Sequence, residues 1–152
     1  MMKLINLIFY SLLLFLVTFS LQNCAPTTFH HDKYLDYSYF KFCDFPKNLG
    51  TKVKILATYS GVEEYWSLHS IEKCKSDSGV DLNLNNIYDS LPERIKKSLL
   101  AVHNSYWNKY VIIEATGKFE MNKKGYGHLG HNKAEFIVDE ILNVELIKKN
   151  NR

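Results

Sequence analysis

Apolar and polar positions alternate from Lys52 to Tyr59, with Val53, Ile55, Ala57 and Tyr59 set against Lys52, Lys54, Leu56 and Thr58. That period of two is the signature of a half-buried strand. Ser60 and Gly61 predict the turn that ends it. A second strand, EYWSLHSI, places Trp66 and Leu68 on one face and Tyr65, Ser67 and His69 on the other. Beyond the loop CKSDSG, Val80, Leu82 and Leu84 alternate with Asp81 and Asn83 as a third strand.

The period then changes. Ile95, Leu99, Val102 and Tyr106 follow at spacings of four, three and four, one apolar stripe on a helix of about four turns. Ser90 with Glu93 three residues on, and Pro92 between them, reads as a capping box at its start. Arg94, Lys96, Lys97 and Asn104 lie off the stripe and form the solvated face. A fourth strand covers Lys109 to Glu120, with Val111, Ile113, Ala115 and Gly117 on one face. A fifth covers Ala134 to Ile147. Phe136 and Val138 share an inward register that Ile141, Val144 and Leu146 do not continue, so a bulge or bend near Asp139 and Glu140 is needed to reconcile them.

Three strands, a helix and two strands predict an all-β fold with one helix. The layout is that of a five-stranded OB-fold-like Greek-key barrel with its helix between strands 3 and 4. Closure hides the edges of short twisted strands, and an amphipathic helix covers an open end. In that architecture ligands sit on the face of strands 2 and 3, framed by the loops joining strands 1 and 2 and strands 4 and 5. Here those loops are expected at Ser60–Glu64 and Met121–Lys133.

The N-terminus changes the picture of where such a barrel works. Lys3 precedes the apolar stretch from Leu4 to Leu21, and Gln22, Asn23 and Cys24 follow. A short basic region and an apolar core make an export signal. The cysteine after them resembles that of a bacterial lipoprotein signal, in which it becomes the lipidated first residue of the mature chain. Asn23 departs from the small residue usual before that cysteine. Cleavage without lipid and an uncleaved anchor are the alternatives, the stretch just reaching spanning length. The expected organisation is a signal peptide over 1–23, an aromatic-rich leader over 24–42, the barrel domain over 43–148 and a polar tail over 149–152. In the leader, Tyr37 to Phe42 is expected to dock on the domain as an extended segment.

Two stretches, CDFPKNLGTKVKILATYSGVEEYWSLHSIEKC and GYGHLGHNKAEFIV, resemble small exported bacterial lipoproteins of uncharacterised function with an OB-like domain. In that group a cysteine precedes a glycine turn and a GHLG loop leads into the last strand. The similarity covers 43–147. Thr51 between Gly50 and Lys52, and Ala57 in place of a glycine, depart from the pattern. The resemblance implies a barrel outside the cytoplasm, in the bacterial cell envelope, and assigns no activity.

Charge and cysteines narrow the functional classes. Lys and Arg number 19 against 16 Asp and Glu. So small an excess argues against a nucleic-acid binder, which needs a basic groove with stacking aromatics. With Cys24 committed to lipid, Cys43 and Cys74 are the pair a single disulfide requires in an oxidising compartment; two small buried apolar residues are the alternative.

The GHLGH loop holds His128 and His131. Two histidines three apart in a glycine loop fall short of the three protein ligands a metal needs. Glu63, Glu64, His69 or Glu135 would have to complete a set, and the spacing demands none of them. No metal, cofactor or catalytic residue is therefore assigned, and neither G-x-S-x-G nor H-E-x-x-H occurs. The plainest account is a turn that needs its glycines, with Leu129 packed as an anchor and the His128 ring hydrogen-bonded locally. The functional account is a binding or assembly module. Its candidate ligand residues are Glu63 and Glu64 facing Lys123, Lys124, His128 and His131, with Tyr65, Ser67 and His69 as a platform. An envelope protein or an anionic glycan is the expected partner, and the membrane is reached through the lipid on Cys24. The rival is a small metal-dependent or acid–base hydrolase built on His128 and His131.

Overall fold

A computed structural model describes residues 39–74 and 79–149. Cys24, the export signal and the leader up to residue 38 lie outside the described residues. The first strand, β1, runs Lys52–Val62 and turns Ile55, Ala57 and Tyr59 into the core. It does not end at Ser60 and Gly61 as the turn residues suggest. Gly61 pairs with Trp66 of β2 (Tyr65–Ser70). A Cβ at Gly61 would stand 2.3 Å from the Tyr65 carbonyl oxygen and 2.7 Å from the Trp66 ring. The glycine thus makes room for a neighbouring strand, and the chain reverses over Glu63 and Glu64 instead.

The third strand, β3 (Val80–Asn83), precedes helix α1 (Glu93–His103). Ile95, Leu99 and Val102 are buried as the stripe requires, while the helix ends before Tyr106. Ser90 is not its N-cap. Leu91 precedes Pro92 and is extended (ψ 138°), because a proline ring disfavours the helical region for the residue before it. A helix cannot begin at Leu91, so it begins after Pro92, and the Ser90 hydroxyl donates to the Ile87 carbonyl at 2.8 Å.

Strands β4 (Lys109–Tyr126) and β5 (Asn132–Lys148) form the longest pair. The expected loop from Met121 to Lys133 is thus largely hairpin. Regular pairing breaks off at Met121–Ala134 and resumes at Tyr126–Asn132, leaving Asn122–Gly125 as an irregular stretch. Higher up, Glu114 faces Asn143 but Ala115 faces Ile141; Thr116 faces Glu140 but Gly117 faces Val138. Asp139 and Leu142 are therefore extra residues. The bulge required near Asp139 is present, and a second at Leu142 returns Val144 to the core.

The strands close in the order β1-β2-β3-β5-β4, with β4 pairing back to β1. All pairs are antiparallel except β3 with β5. This is a closed five-stranded OB-fold-like barrel with one helix between strands 3 and 4. The helix packs where β1 ends and β4 begins. Where β1 begins, the leader does more than dock: Phe40 donates its N–H to the Lys54 carbonyl at 2.7 Å, and Phe42–Lys47 winds into a 3-10 helix that buries Phe42 and Phe45. Phe42 and Phe45 lie 5.6 and 5.2 Å from Phe119, which touches Phe136 at 4.7 Å. The docking expected of the leader's end is thus seen over 39–42, and Phe42 goes further and joins the core. Cys43 and Cys74 are bridged, with Cα atoms 5.4 Å apart across 31 residues of sequence.

Candidate functional site

Two chain reversals meet at one edge of the barrel. The first, at Glu63 and Glu64, has Glu63 at φ 54°, and the Trp66 indole N–H donates to the Glu63 carbonyl at 2.6 Å. The second, between β4 and β5, passes through a short 3-10 turn, His128–Gly130. Gly125, Gly127, Leu129 and Gly130 all take positive φ, between 53° and 75°. At Gly130 the need is absolute: a Cβ would fall 2.3 Å from the Lys124 carbonyl oxygen. The glycines of GYGHLGH are thus required by backbone geometry.

Side chains then join the two turns. His128 Nδ1 lies 3.1 Å from Glu64 Oε2. The Tyr65 ring meets the His128 and His131 rings edge to face, each at 5.2 Å. Leu129 sits between those histidines and is 85% exposed. The expectation of a packed anchor is overturned. Its left-handed backbone (φ 53°) turns the residue outward while its neighbours are held.

Behind the turns, Ser67 is buried rather than displayed. Its hydroxyl donates to Asn132 Oδ1 at 2.5 Å, and Asn132 Nδ2 donates to the Trp66 carbonyl at 2.8 Å and reaches Asp81 Oδ1 at 3.4 Å. The reason is local. Among the described residues β2 and β3 pair only through Leu68 and Val80, so the Asn132 amide occupies the seam and satisfies the Trp66 carbonyl that a longer ladder would have paired. Desolvation and the neighbouring Glu135 raise the Asp81 carboxyl, against the opposing hydrogen bonds from Asn132 and Leu82. Asn132 was not singled out by pattern. Running the β5 alternation backwards from Val138 through Phe136 and Ala134 places it inward, and that signal was available.

A third cluster lies at the helix end. The His103 ring stacks on Trp66 at 3.8 Å with 8° between planes, and its Nε2 is 3.2 Å from the Tyr59 hydroxyl. Burial lowers the His103 imidazole, and burial with the nearby Asp81 charge raises the Tyr59 phenol. Both shifts favour the uncharged forms, so near neutral pH a neutral imidazole and a protonated phenol share this hydrogen bond.

The structure therefore gathers Glu64, Tyr65, His128 and His131, with Glu63 at the adjoining turn. It removes Ser67 to the interior. His69 is half-buried on β2, its carbonyl accepting from Thr58. Lys123 and Lys124 are exposed on the irregular stretch of β4. Among the described residues no group of three His, Cys, Asp or Glu could hold a metal, and no helix is long and apolar enough to cross a membrane. No protein-family model, curated protein or solved structure matches the chain.

Proposed function

We propose that this protein is an exported, lipid-anchored binding module of the cell envelope that docks a partner protein on its joined turns. The observation that carries the reading is Leu129, 85% exposed between two histidines that Tyr65 and Glu64 hold in place. A leucine displayed on a backbone of four positive-φ residues stabilises nothing in the barrel, and leaving an apolar side chain of that size in water forgoes about 1.5–3 kcal/mol of burial. A partner's apolar pocket recovers that energy. His128, next to the leucine in sequence, and its partners Glu64 and Tyr65 supply polar groups of the kind that border an apolar anchor in a small interface. The Cys43–Cys74 bridge supports an oxidising compartment, and Cys24 after its apolar stretch supports the anchor.

The test is site-specific photo-crosslinking in the producing cell, with the probe at Leu129 and, as a control, at Arg94 on the exposed helix face. A discrete protein adduct from 129 alone, lost when Cys24→Ala releases the chain from the membrane, is expected. Equal adducts from both sites, or none from 129, would remove the docking role.

A further inference from the structure

The helix and β3 enclose a cleft of about 280 Å³ that the joined turns do not use. Its wall is apolar: Leu82 from β3, Leu84 just after it, and Leu99 and Leu100 from α1. Leu100 is 59% exposed, although a helix of this kind normally keeps leucine on its buried stripe. The two ends of the cleft are polar, one of them charged and the other not. Lys96 and His103 stand two turns apart on α1, about 10 Å at 1.5 Å per residue. At the His103 end lies the uncharged Tyr59–His103 pair, where the Asp81 charge is felt. At the other end the Lys96 ammonium donates to the Asp89 carbonyl at 3.0 Å and lies 5.5 Å from the centre of the Tyr88 ring. Among the described residues it pairs with no carboxylate. An ammonium has three donors, so two remain to point at a ligand.

We infer that this cleft is a second binding site, for a small hydroxyaryl carboxylate. The carboxylate is held by Lys96, the ring lies against Leu84, Leu99 and Leu100, and the far hydroxyl meets the Tyr59–His103 pair. Each part follows from the lining. The volume is that of about nine waters at ~30 Å³ each, enough for one ring and a short side chain. Lys96 is the one charged side chain of the lining given for the cleft, so an anion settles at its end, which fixes the orientation. Whichever of the two donates in the Tyr59–His103 hydrogen bond, the Tyr59 oxygen keeps a lone pair, so it can accept from a ligand hydroxyl. The inference stands apart from the docking role of Leu129.

Three probes dissect it: hydroxyphenylpropionate, phenylpropionate without the hydroxyl, and propylphenol without the carboxylate. Binding is measured calorimetrically on the full chain in lipid nanodiscs, with empty discs as the blank. Hydroxyphenylpropionate is expected to bind most tightly. Lys96→Gln, on the helix surface, should weaken both acids about tenfold and leave propylphenol unchanged. His103→Phe keeps a ring stacked on Trp66 and should abolish the preference for the hydroxylated acid over phenylpropionate. Saturation by none of the three, equal affinity for all three, or an acid affinity unmoved by Lys96→Gln each overturns the assignment. A backbone amide spectrum of each variant matching the wild type excludes misfolding as the cause of lost binding.

Discussion

The aromatic floor under β1 and the joined turns at the barrel edge are built on opposite logic. In the floor, Phe42, Phe45, Phe119 and Phe136 are buried against one another. Their energy is that of area removed from water and of ring geometry. In the turns, the backbone takes five positive-φ residues, Glu63 in one and Gly125, Gly127, Leu129 and Gly130 in the other, and the leucine among them faces water. One region holds its shape because its side chains are hidden; the other holds a side chain out because its backbone is locked. Stability should respond to side-chain volume in the first and to backbone permissiveness in the second.

The strongest test of that contrast is Phe119→Ala, which should cost about 3–5 kcal/mol. Urea unfolding would show it as a fall in midpoint at constant slope. A loss below about 1 kcal/mol would mean the floor is not where the barrel is held. Next, replacing Cys43 and Cys74 together by alanine should cost about 3–4 kcal/mol in the chain-entropy account of a loop this long, and reductant should then leave the double variant's midpoint unmoved. In the turns, Gly130→Ala should cost about 1–3 kcal/mol through its left-handed backbone and the Lys124 carbonyl, though it adds a methyl. Leu129→Gly should do the reverse, leaving stability unchanged or raising it by up to about 1 kcal/mol. If Leu129→Gly destabilises as Phe119→Ala does, the leucine is packed and the contrast fails.

The smallest effect belongs to neither region. Burial depresses the folded His103 below its ordinary value of 6.5. The folded state therefore disfavours the proton, and this contribution is present above that value and lost as pH falls through the lower folded one. Melting temperature should drop more for the wild type than for His103→Phe between about pH 7 and about pH 5.

How much of this was legible depends on whether a residue's environment is set by its neighbours in sequence. The inward faces of β1 and β4 and the stripe Ile95, Leu99 and Val102 were, because period two and period 3.6 are local consequences of burial on one side. So was the bulge near Asp139, since an inward register cannot resume without an extra residue. The docking of Phe40 and Phe42 was anticipated from their crowding with other aromatics, but not what they dock on, since no period runs through them and their partner Phe119 lies far along the chain. Ser67 followed its strand's alternation and still went inside, since the seam that receives it is made by Asn132 from β5. In the candidate site, Glu64, Tyr65, His128 and His131 were anticipated as a group from the barrel layout. Leu129 was misplaced because an apolar residue beside glycines is ordinarily an anchor. The Tyr59–Trp66–His103 stack joins three elements and left no local trace.

The two bulges of β5 carry a consequence for how this strand tolerates change. Asp139 and Leu142 are the residues by which β5 exceeds its partner, and each sets the strand's alternation back into phase. Removing either one would leave Val138, Ile141 and Val144 opposite the partners they already have, so the hydrophobic face would survive. What would vanish is bend, the quality by which a flat ribbon becomes a tube. Curvature in this molecule is therefore written in the number of residues and not in their kind. Position 142 should accept nearly any side chain and refuse to be left out.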